Sequence, residues 1–478
     1  MNAATLDRTC TSEAPPAVPK DLYRILLLRK NGSELLVAGV RAPLTLPCVE
    51  IPRWERVAEN AIAAVRKRYG LSAICLFTPE LPTATTDGAQ PLYQVMETRE
   101  AAEEAPDGTR WLTLDSASDQ SFADEQDLVA IIDVSRQIEE FQSGKVAGPF
   151  GRPGWIEELF SWVQAEIDRC GLHLNGEIRQ LNASQTFALL RLETNGSAVW
   201  FKAVGEPNLR EFPISLTLSR LFPGFVPTVI ASHPTWHGWL TTEFPGSTLD
   251  EDSNVCAWER AAQTLAELQL ASVENTDQLL DAGCRDVRVA SLLSLVDPFI
   301  EVMSQLMKQQ PKTPPSVLDR KELLTLGRQI KDALSDLAKL DVPDTLGHLD
   351  FNPGNFLCSA DQCIFLDWAE AYVGPPFLTL EYLREHMVRL RRPGISFSAD
   401  VVNAYETKWH RILSSETVSS ARDLAPVLAV FAYAAGTGAW QNPTMLREPK
   451  TAAYLRSLTR RLHGEMQRLQ DRRELCCN

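Results

Sequence analysis

The sequence has no long run of apolar residues, few histidines and no excess of positive charge. No stretch approaches the roughly 18 uninterrupted apolar residues expected of a membrane span. This absence predicts a protein without a membrane partner. The 478-residue chain carries 47 Lys and Arg against 62 Asp and Glu, which gives a formal net charge of −15. An acidic balance disfavours binding to nucleic acid, because phosphate backbones attract basic surfaces.

The sequence also lacks a regular cysteine pattern and a secretory signal. Its 10 cysteines are irregularly spaced, and residues 1–20 are polar and Pro-bearing, without an apolar centre. These features favour reduced thiols and a cytoplasmic location over a disulfide framework. Cys358 and Cys363 are too isolated to indicate a zinc site. Residues 1–20 are predicted to form a disordered tail.

A chain of this length exceeds one hydrophobic core, and its patterns divide it into three regions. Residues 21–145 mix strand and helix patterns, with a hairpin signal at Asn31-Gly32. Residues 146–246 hold a Gly- and Pro-rich linker, a helix and several strand patterns, and residues 247–478 are mostly helical. The fold class is therefore predicted to be α+β.

One segment concentrates the residues that carry chemistry. From Leu346 to Trp368 the chain reads LGHLDFNPGNFLCSADQCIFLDW, in which the last carboxylate ends a short apolar run. A carboxylate can orient an acceptor hydroxyl and take its proton, and Mg²⁺ prefers hard oxygen ligands. Asp350, Asn355 and Asp367 supply such groups. The alternative is a polar turn between two core elements.

This segment resembles the catalytic loop of protein-kinase-like enzymes, and its closing Asp-Trp pair is similar to that of the aminoglycoside phosphotransferase and choline kinase family. The resemblance spans roughly residues 154–478. It implies a two-lobed fold, with a small antiparallel-sheet N-lobe and a helical C-lobe. It also implies that Asp350 is the catalytic base, that Asn355 and Asp367 bind Mg²⁺, and that His348 supports the loop.

The same resemblance implies a set of nucleotide-binding positions. Lys202 is expected on the third strand of the N-lobe sheet as the phosphate-binding lysine, with Glu211 as its partner at a helix start. A solvent-facing lysine is the alternative. The other expected contacts are the carbonyl of Thr242 and the N–H of Phe244 for adenine. Ser184 and Gln185 are expected to supply hydroxyl and backbone donors to phosphate.

Two positions depart from the family pattern, and two acidic residues are candidates for binding the acceptor. Leu349 stands where the family has Gly, and Thr379 where it often has Asp. Glu370 and Glu381 are candidates to receive a cationic acceptor. An ordinary salt bridge is the alternative for both, and it is favoured for Glu381.

The first region resembles a Nudix domain whose metal-binding residues are replaced. The segment LPCVEIPRWERVAENAIAAVRKRYGLSA follows the course of a Nudix box. Acidic metal ligands are missing from its helix, which implies a Nudix-like fold without catalysis. The alternative is an unrelated small α+β domain; recognition, regulation and dimer contacts all stay open as its role. Glu55, Gly70 and Leu71 match the motif, whereas Ala63, Ala64, Lys67 and Arg68 depart from it.

Together these features predict a small-molecule kinase that transfers the γ-phosphoryl group of ATP to a hydroxyl, with Mg²⁺ as cofactor and GTP as an alternative donor. A cationic amino sugar or amino alcohol is one acceptor class. The rival hypothesis is a non-catalytic nucleotide-binding regulator. Protein phosphorylation is disfavoured, because residues 367–374 leave no room for an activation segment. The acceptor and the oligomeric state stay open.

Overall fold

The computed structural model describes residues 18–39, 41–79, 91–99, 104–117, 119–144, 148–251, 254–390 and 399–477. The predicted tail falls almost entirely outside these residues. The first strand already begins at Lys20, the last residue assigned to that tail.

The described strands lie in all three predicted regions, including the one predicted to be mostly helical. In chain order they are β1 (Lys20–Arg29), β2 (Glu34–Ala38), β3 (Cys48–Pro52), β4 (Ala73–Phe77), β5 (Leu92–Thr98), β6 (Thr109–Thr113), β7 (Leu174–Ala183), β8 (Ala188–Thr194), β9 (Val199–Ala203), β10 (Val229–His233), β11 (Gly238–Thr242), β12 (Ser247–Thr248), β13 (Arg285–Asp286), β14 (Thr345–His348), β15 (Phe356–Cys358), β16 (Cys363–Phe365) and β17 (Ala371–Gly374).

The helices dominate the C-terminal half of the chain. They are α1 (Val57–Tyr69), α2 (Leu114–Ala117), α3 (Glu125–Gln142), α4 (Trp155–Ile167), α5 (Glu211–Leu221), α6 (Val255–Ser272), α7 (Thr276–Asp281), α8 (Val289–Lys308), α9 (Arg320–Lys339), α10 (Phe377–Leu390), α11 (Ala399–Trp409), α12 (Ser415–Gly436), α13 (Pro443–Arg447) and α14 (Pro449–Cys477).

The chain divides into two compact units. The first comprises Met1–Gly205 and His233–Leu240, and the second comprises Glu206–Ser232 and Thr241–Asn478. The predicted boundaries at residues 145 and 246 stay predictions.

The first unit contains a mixed sheet built on β1. Its strand order is β4-β5-β1-β2-β6, with β3 paired to β1. The predicted hairpin is confirmed: β1 and β2 are antiparallel, and Asn31 and Gly32 between them have positive φ, as a tight turn requires. Helix α1 buries Ala58, Ala61 and Val65 and ends at Gly70 in the left-handed conformation. The resemblance to a Nudix fold stays a prediction.

The first unit also contains the predicted small antiparallel sheet, in which β7, β8, β9 and β11 are neighbours in that order. Strand β8 alternates buried and half-buried residues, which is the pattern of a sheet with one face in a core. Two side-chain contacts tie β7 to the first region. Gln180 bonds both backbone groups of Cys75 on the edge strand β4, and Arg179 pairs with Glu59 on α1.

Packed helices form the core of the second unit. Helix α8 is long and apolar enough to span a membrane by length and composition. Within the second unit it packs against α9, α12 and α14, and buries residues such as Phe299 and Met303. Helix α9 opens with a capping box between Asp319 and Glu322, which fixes its first turn.

Two small three-stranded sheets lie in the second unit, with orders β12-β15-β16 and β13-β17-β14. The expectation of reduced cysteines is wrong for one pair, because Cys358 and Cys363 form a disulfide. They face each other across the antiparallel strands β15 and β16, with Cα atoms 4.2 Å apart. Cross-strand pairing brings the thiols together, and sequence spacing alone did not reveal it. The cytoplasmic location stays a prediction.

The α+β class is confirmed by these elements. An antiparallel sheet precedes a largely helical part, as the resemblance implied.

Candidate active site

Strand β14 is buried and leads directly into the candidate catalytic loop. All four of its residues are buried, and it pairs antiparallel with β17, so that Gly347 lies opposite Tyr372. A Cβ atom on Gly347 would lie 2.0 Å from the Tyr372 ring, so only glycine fits there. The loop therefore starts from a rigid strand.

His348 joins the two halves of the candidate site. Its Nδ1 accepts a hydrogen bond from the backbone N–H of Asp350 at 3.0 Å, which assigns the ring proton to Nε2. Nε2 in turn donates to the backbone carbonyl of Asp367 at 2.5 Å. Burial lowers the pKa of His348, so the ring is neutral at pH 7. The geometry fits the predicted supporting role of His348.

Asp350 presents an exposed carboxylate at the end of this arrangement. Its side chain is 58% exposed, and its Oδ1 lies 4.0 Å from Nε2 of His386 on α10. Its backbone carbonyl accepts a bond from the Asn352 N–H at 2.9 Å, which tightens the loop. The carboxylate is thus held by its main chain and left accessible to an acceptor.

Asn355 and Asp367 are brought together by the hairpin of β15 and β16. Asn355 closes a short 3₁₀ turn, and its carbonyl accepts a bond from the Leu366 N–H at 2.8 Å. Asp367 follows β16 with φ 60° and ψ 65°, a left-handed conformation that Asp adopts more readily than most residues. An unusual backbone conformation at a polar, exposed residue is typical of functional sites.

The residues that depart from the family pattern have structural roles. The Thr379 hydroxyl is fully buried, accepts a bond from the His348 N–H at 3.1 Å and pairs with the Tyr372 hydroxyl at 2.9 Å. Leu349 is buried in the core, and its N–H donates to the carbonyl of Glu370. Both residues therefore hold the loop in place.

The two acidic candidates for acceptor recognition are both paired with arginines. Glu370 receives two bonds from Arg285, at 3.0 and 3.1 Å, and Glu381 is bonded to Arg384 at 2.7 Å. The salt-bridge interpretation favoured for Glu381 agrees with this geometry. For Glu370, the arginine already compensates its charge.

The candidate phosphate-binding residues of the N-lobe lie within the first unit. Lys202 is on β9, the third strand of its sheet, and its ammonium lies 6.0 Å from the ring centre of Phe187 and 5.8 Å from that of Trp239. Ser184 and Gln185 form the turn between β7 and β8. The Ser184 hydroxyl accepts a bond from the Phe187 N–H at 3.0 Å.

The remaining predicted nucleotide contacts lie in the second unit. Glu211 is the first residue of α5 and is 1% exposed, which agrees with the predicted helix start. Thr242 ends β11, and its N–H donates to the Thr228 carbonyl at 3.1 Å. Phe244 lies in the irregular segment before β12. The pairing of Lys202 with Glu211 and the adenine contacts stay predictions.

Three polar residues around these elements were not found by sequence reasoning. His386 faces the Asp350 carboxylate, Arg285 binds Glu370, and Gln137 bonds Gln185 at 2.7 Å. Each lies on an element distant in sequence from its partner. No local pattern in the sequence marks such pairs.

A comparison with protein families identifies the centre of the chain. Residues 209–413 match the family described as "Phosphotransferase enzyme family". This segment is therefore similar to a phosphotransferase domain. The matched segment contains Asp350, Asn355 and Asp367, whereas Lys202 precedes it.

Curated proteins give no match, but solved structures do. Macrolide 2'-phosphotransferase type I is 18% identical, with 62% of this chain and 96% of that one covered and a TM-score of 0.40. Choline kinase from Cryptosporidium parvum Iowa II is 12% identical, with 66% and 97% covered and a TM-score of 0.46. Aminoglycoside 2'-phosphotransferase-IIIa, in its GDP complex, is 15% identical, with 65% and 98% covered and a TM-score of 0.43.

The phosphotransferase match confirms the predicted family resemblance and enzyme class. The protein is a phosphotransferase enzyme. The individual roles of the site residues stay predictions.

Proposed function

We propose that this phosphotransferase is a kinase that transfers the γ-phosphoryl group of ATP to a hydroxyl of a small molecule. One observation carries the proposal: the neutral, buried His348 bonds the backbone of both Asp350 and Asp367. A single side chain thereby fixes the candidate base relative to the candidate metal ligand. Positioning of this kind supplies much of the catalysis in phosphoryl transfer.

Asp350 would act on the acceptor. Its exposed carboxylate would accept a hydrogen bond from the acceptor hydroxyl, orient the oxygen toward the phosphorus and take the proton as the new bond forms. His386, whose Nε2 is 4.0 Å from the Asp350 Oδ1, lies close enough to contact the same acceptor.

Asn355 and Asp367 have the chemistry to hold Mg²⁺. One amide oxygen and one exposed carboxylate are hard donors of the kind that Mg²⁺ prefers, so these two residues would hold the ion. Bound Mg²⁺ would neutralise negative charge on the phosphate groups. Asp367 would keep its carboxylate aimed at this charge because His348 holds its main chain.

The proposed nucleotide contacts use one cation and backbone groups. Lys202 would neutralise phosphate charge during transfer, with Glu211 as its partner. The carbonyl of Thr242 and the N–H of Phe244 would bind adenine. The turn containing Ser184 and Gln185 would cover the phosphates. Backbone recognition of this kind leaves GTP as an alternative donor.

The acceptor is proposed to be a small hydroxyl compound. Glu370 and Glu381 are each paired with an arginine, so neither supports a cationic acceptor by itself. Amino sugars, amino alcohols and hydroxy amino acids therefore belong in one test panel with neutral hydroxyl compounds.

The experiment measures ADP release by the purified protein with Mg·ATP against this panel. Asp350→Asn removes the base while preserving its shape and should lower kcat by about 100- to 10,000-fold. Asp361→Asn is the matched control, because this substitution makes the same change of charge at an exposed position in the β15–β16 turn. Nucleotide binding, followed as a rise in Tm with Mg·ATP, should persist in both variants.

ADP release that depends on an acceptor should disappear in Asp350→Asn and persist in Asp361→Asn. This result would establish the kinase activity and identify the acceptor class. Full activity of Asp350→Asn would contradict the assignment of the base. Mg·ATP binding without turnover on any acceptor would favour the rival hypothesis of a nucleotide-binding regulator.

A further inference from the structure

The turn between β7 and β8 is closed by its own residues. The Ser184 N–H donates to the Phe187 carbonyl at 3.0 Å, and the Ser184 hydroxyl accepts from the Phe187 N–H at 3.0 Å. These bonds fix the local shape of the turn. They do not fix its position relative to the rest of the first unit.

A second contact reaches the turn from the N-terminal region. The Gln185 side-chain amide donates to Oε1 of Gln137, on α3, at 2.7 Å. Gln137 is 6% exposed, and its own amide group donates to Asp133 at 2.5 Å. A carboxylate only accepts hydrogen bonds, so Asp133 orients the Gln137 amide with its oxygen toward Gln185. Arg136 pairs with Asp133 at 2.7 Å.

The linker after α3 approaches the same turn. Gly148 has φ +102°, and a Cβ atom there would lie 2.6 Å from the Gln185 backbone oxygen. No other residue fits this approach without displacing the turn. The Gln185 side chain and backbone are therefore both contacted by residues that precede the antiparallel sheet.

Further contacts keep the N-terminal region against this sheet. The Gln180 amide bonds the N–H and the carbonyl of Cys75 at 2.8 and 2.9 Å, and all of these atoms are buried. Arg179 and Glu59 form an ion pair beside them. Helix α3 is thus a fixed reference for the turn, because the region that contains α3 is anchored to β7.

We propose that the N-terminal region positions the phosphate-covering turn, with Gln137 as the positioning residue that acts through Gln185. This inference rests on the proposed function, in which the turn covers the nucleotide phosphates. It assigns to residues 18–144 a task within the phosphoryl-transfer reaction. Holding the turn in place before nucleotide arrives lowers the ordering cost of binding.

The test compares the binding of Mg·ATP and of adenosine by the full-length protein. Gln137→Leu removes the acceptor for Gln185 at nearly unchanged volume. Loss of one hydrogen bond of this kind should weaken Mg·ATP binding by about 2- to 10-fold. Adenosine has no phosphates, so its affinity should not change. Gln142→Leu, an exposed position on the same helix, is the matched control.

Hydrogen exchange gives a readout that needs no nucleotide. The backbone amides of residues 184–187 should exchange faster in Gln137→Leu than in Gln142→Leu. Gln185→Leu removes the donor of the same Gln185–Gln137 hydrogen bond. Because Gln185 is only half-buried, this variant tests the inference even if Gln137→Leu fails to fold. The double variant should bind Mg·ATP no more weakly than either single variant, because both remove one interaction.

Unchanged Mg·ATP affinity and unchanged exchange in Gln137→Leu and Gln185→Leu would overturn the inference and leave the kinase proposal intact. Equal weakening of Mg·ATP and adenosine would also overturn it, since that indicates general damage to the fold. A wild-type protein that binds no Mg·ATP would remove the proposed function and this inference together.

Discussion

Two amide substitutions of His348 should separate its two hydrogen bonds. Asparagine places an oxygen near the Nδ1 position and retains the bond from the Asp350 N–H. Glutamine reaches the Nε2 position and retains the donor to the Asp367 carbonyl. Each variant therefore breaks one of the two bonds, which measure 3.0 and 2.5 Å.

The magnitude follows from the backbone group that each variant leaves without its partner. A buried polar group without a partner costs about 1–3 kcal/mol. For a domain of about 150–250 residues, 1 kcal/mol corresponds to a change in Tm of about 2–4 °C. Each amide variant should thus lower Tm by about 2–12 °C, and His348→Leu, which breaks both bonds, should lower it further. The exposed His410 offers matched controls with the same substitutions.

Kinetics should distinguish the two bonds. His348→Gln releases the backbone of Asp350, so it should mainly lower kcat. His348→Asn releases the backbone of Asp367, so it should mainly raise the Mg²⁺ concentration needed for half-maximal activity. The assay is steady-state ADP release with Mg²⁺ and acceptor varied separately. If both variants match the His410 controls in Tm and kinetics, then His348 does not hold the site and the argument is wrong.

Two further substitutions test buried polar groups. Burial raises the pKa of Glu97 from 4.5 to about 7. Between these two pH values the folded protein holds a proton that the unfolded chain releases. The free energy of unfolding should therefore fall as pH rises from 4.5 to about 7. Glu97→Gln should remove that fall and stabilise the protein by about 1–3 kcal/mol at pH 8 but not at pH 4.5, measured by urea unfolding. Thr379→Val removes the hydroxyl bonded to the His348 N–H and to Tyr372, and should lower stability by about 1–3 kcal/mol in the same assay.

Exposed residues of the same types serve as controls for these substitutions. Glu139→Gln on α3 and Thr407→Val on α11 change the same chemical groups at exposed positions. A Glu97→Gln variant with the pH dependence of wild type would show that Glu97 ionises normally. A Thr379→Val variant as stable as Thr407→Val would show that the buried hydroxyl contributes nothing.

Local elements were predicted well because their determinants lie within a few residues of each other. The turn between β1 and β2 needs positive φ, which Asn31 and Gly32 supply. Helix α1 ends where Gly70 adopts the left-handed conformation. The polar residues between Leu346 and Trp368 were singled out together, because they lie close to one another in sequence.

Contacts between distant segments were not predictable in the same way. The disulfide between Cys358 and Cys363 depends on the register of β15 and β16, and a shift of one residue would separate the thiols. The bond from Gln185 to Gln137 joins a turn to a helix that lies far away in sequence. Glutamine is common on surfaces, so neither residue stands out before the chain is folded.

The sequence by itself determined the chemical groups of the candidate site and the order in which they follow one another along the chain. These depend on residue type, spacing and hydrophobic period, which are local properties of the chain. Only the tertiary structure decided that His348 bonds both Asp350 and Asp367, that arginines compensate Glu370 and Glu381, and that α3 contacts the β7–β8 turn. Such partners are chosen by packing and burial, since a buried polar group must find a partner wherever the fold supplies one.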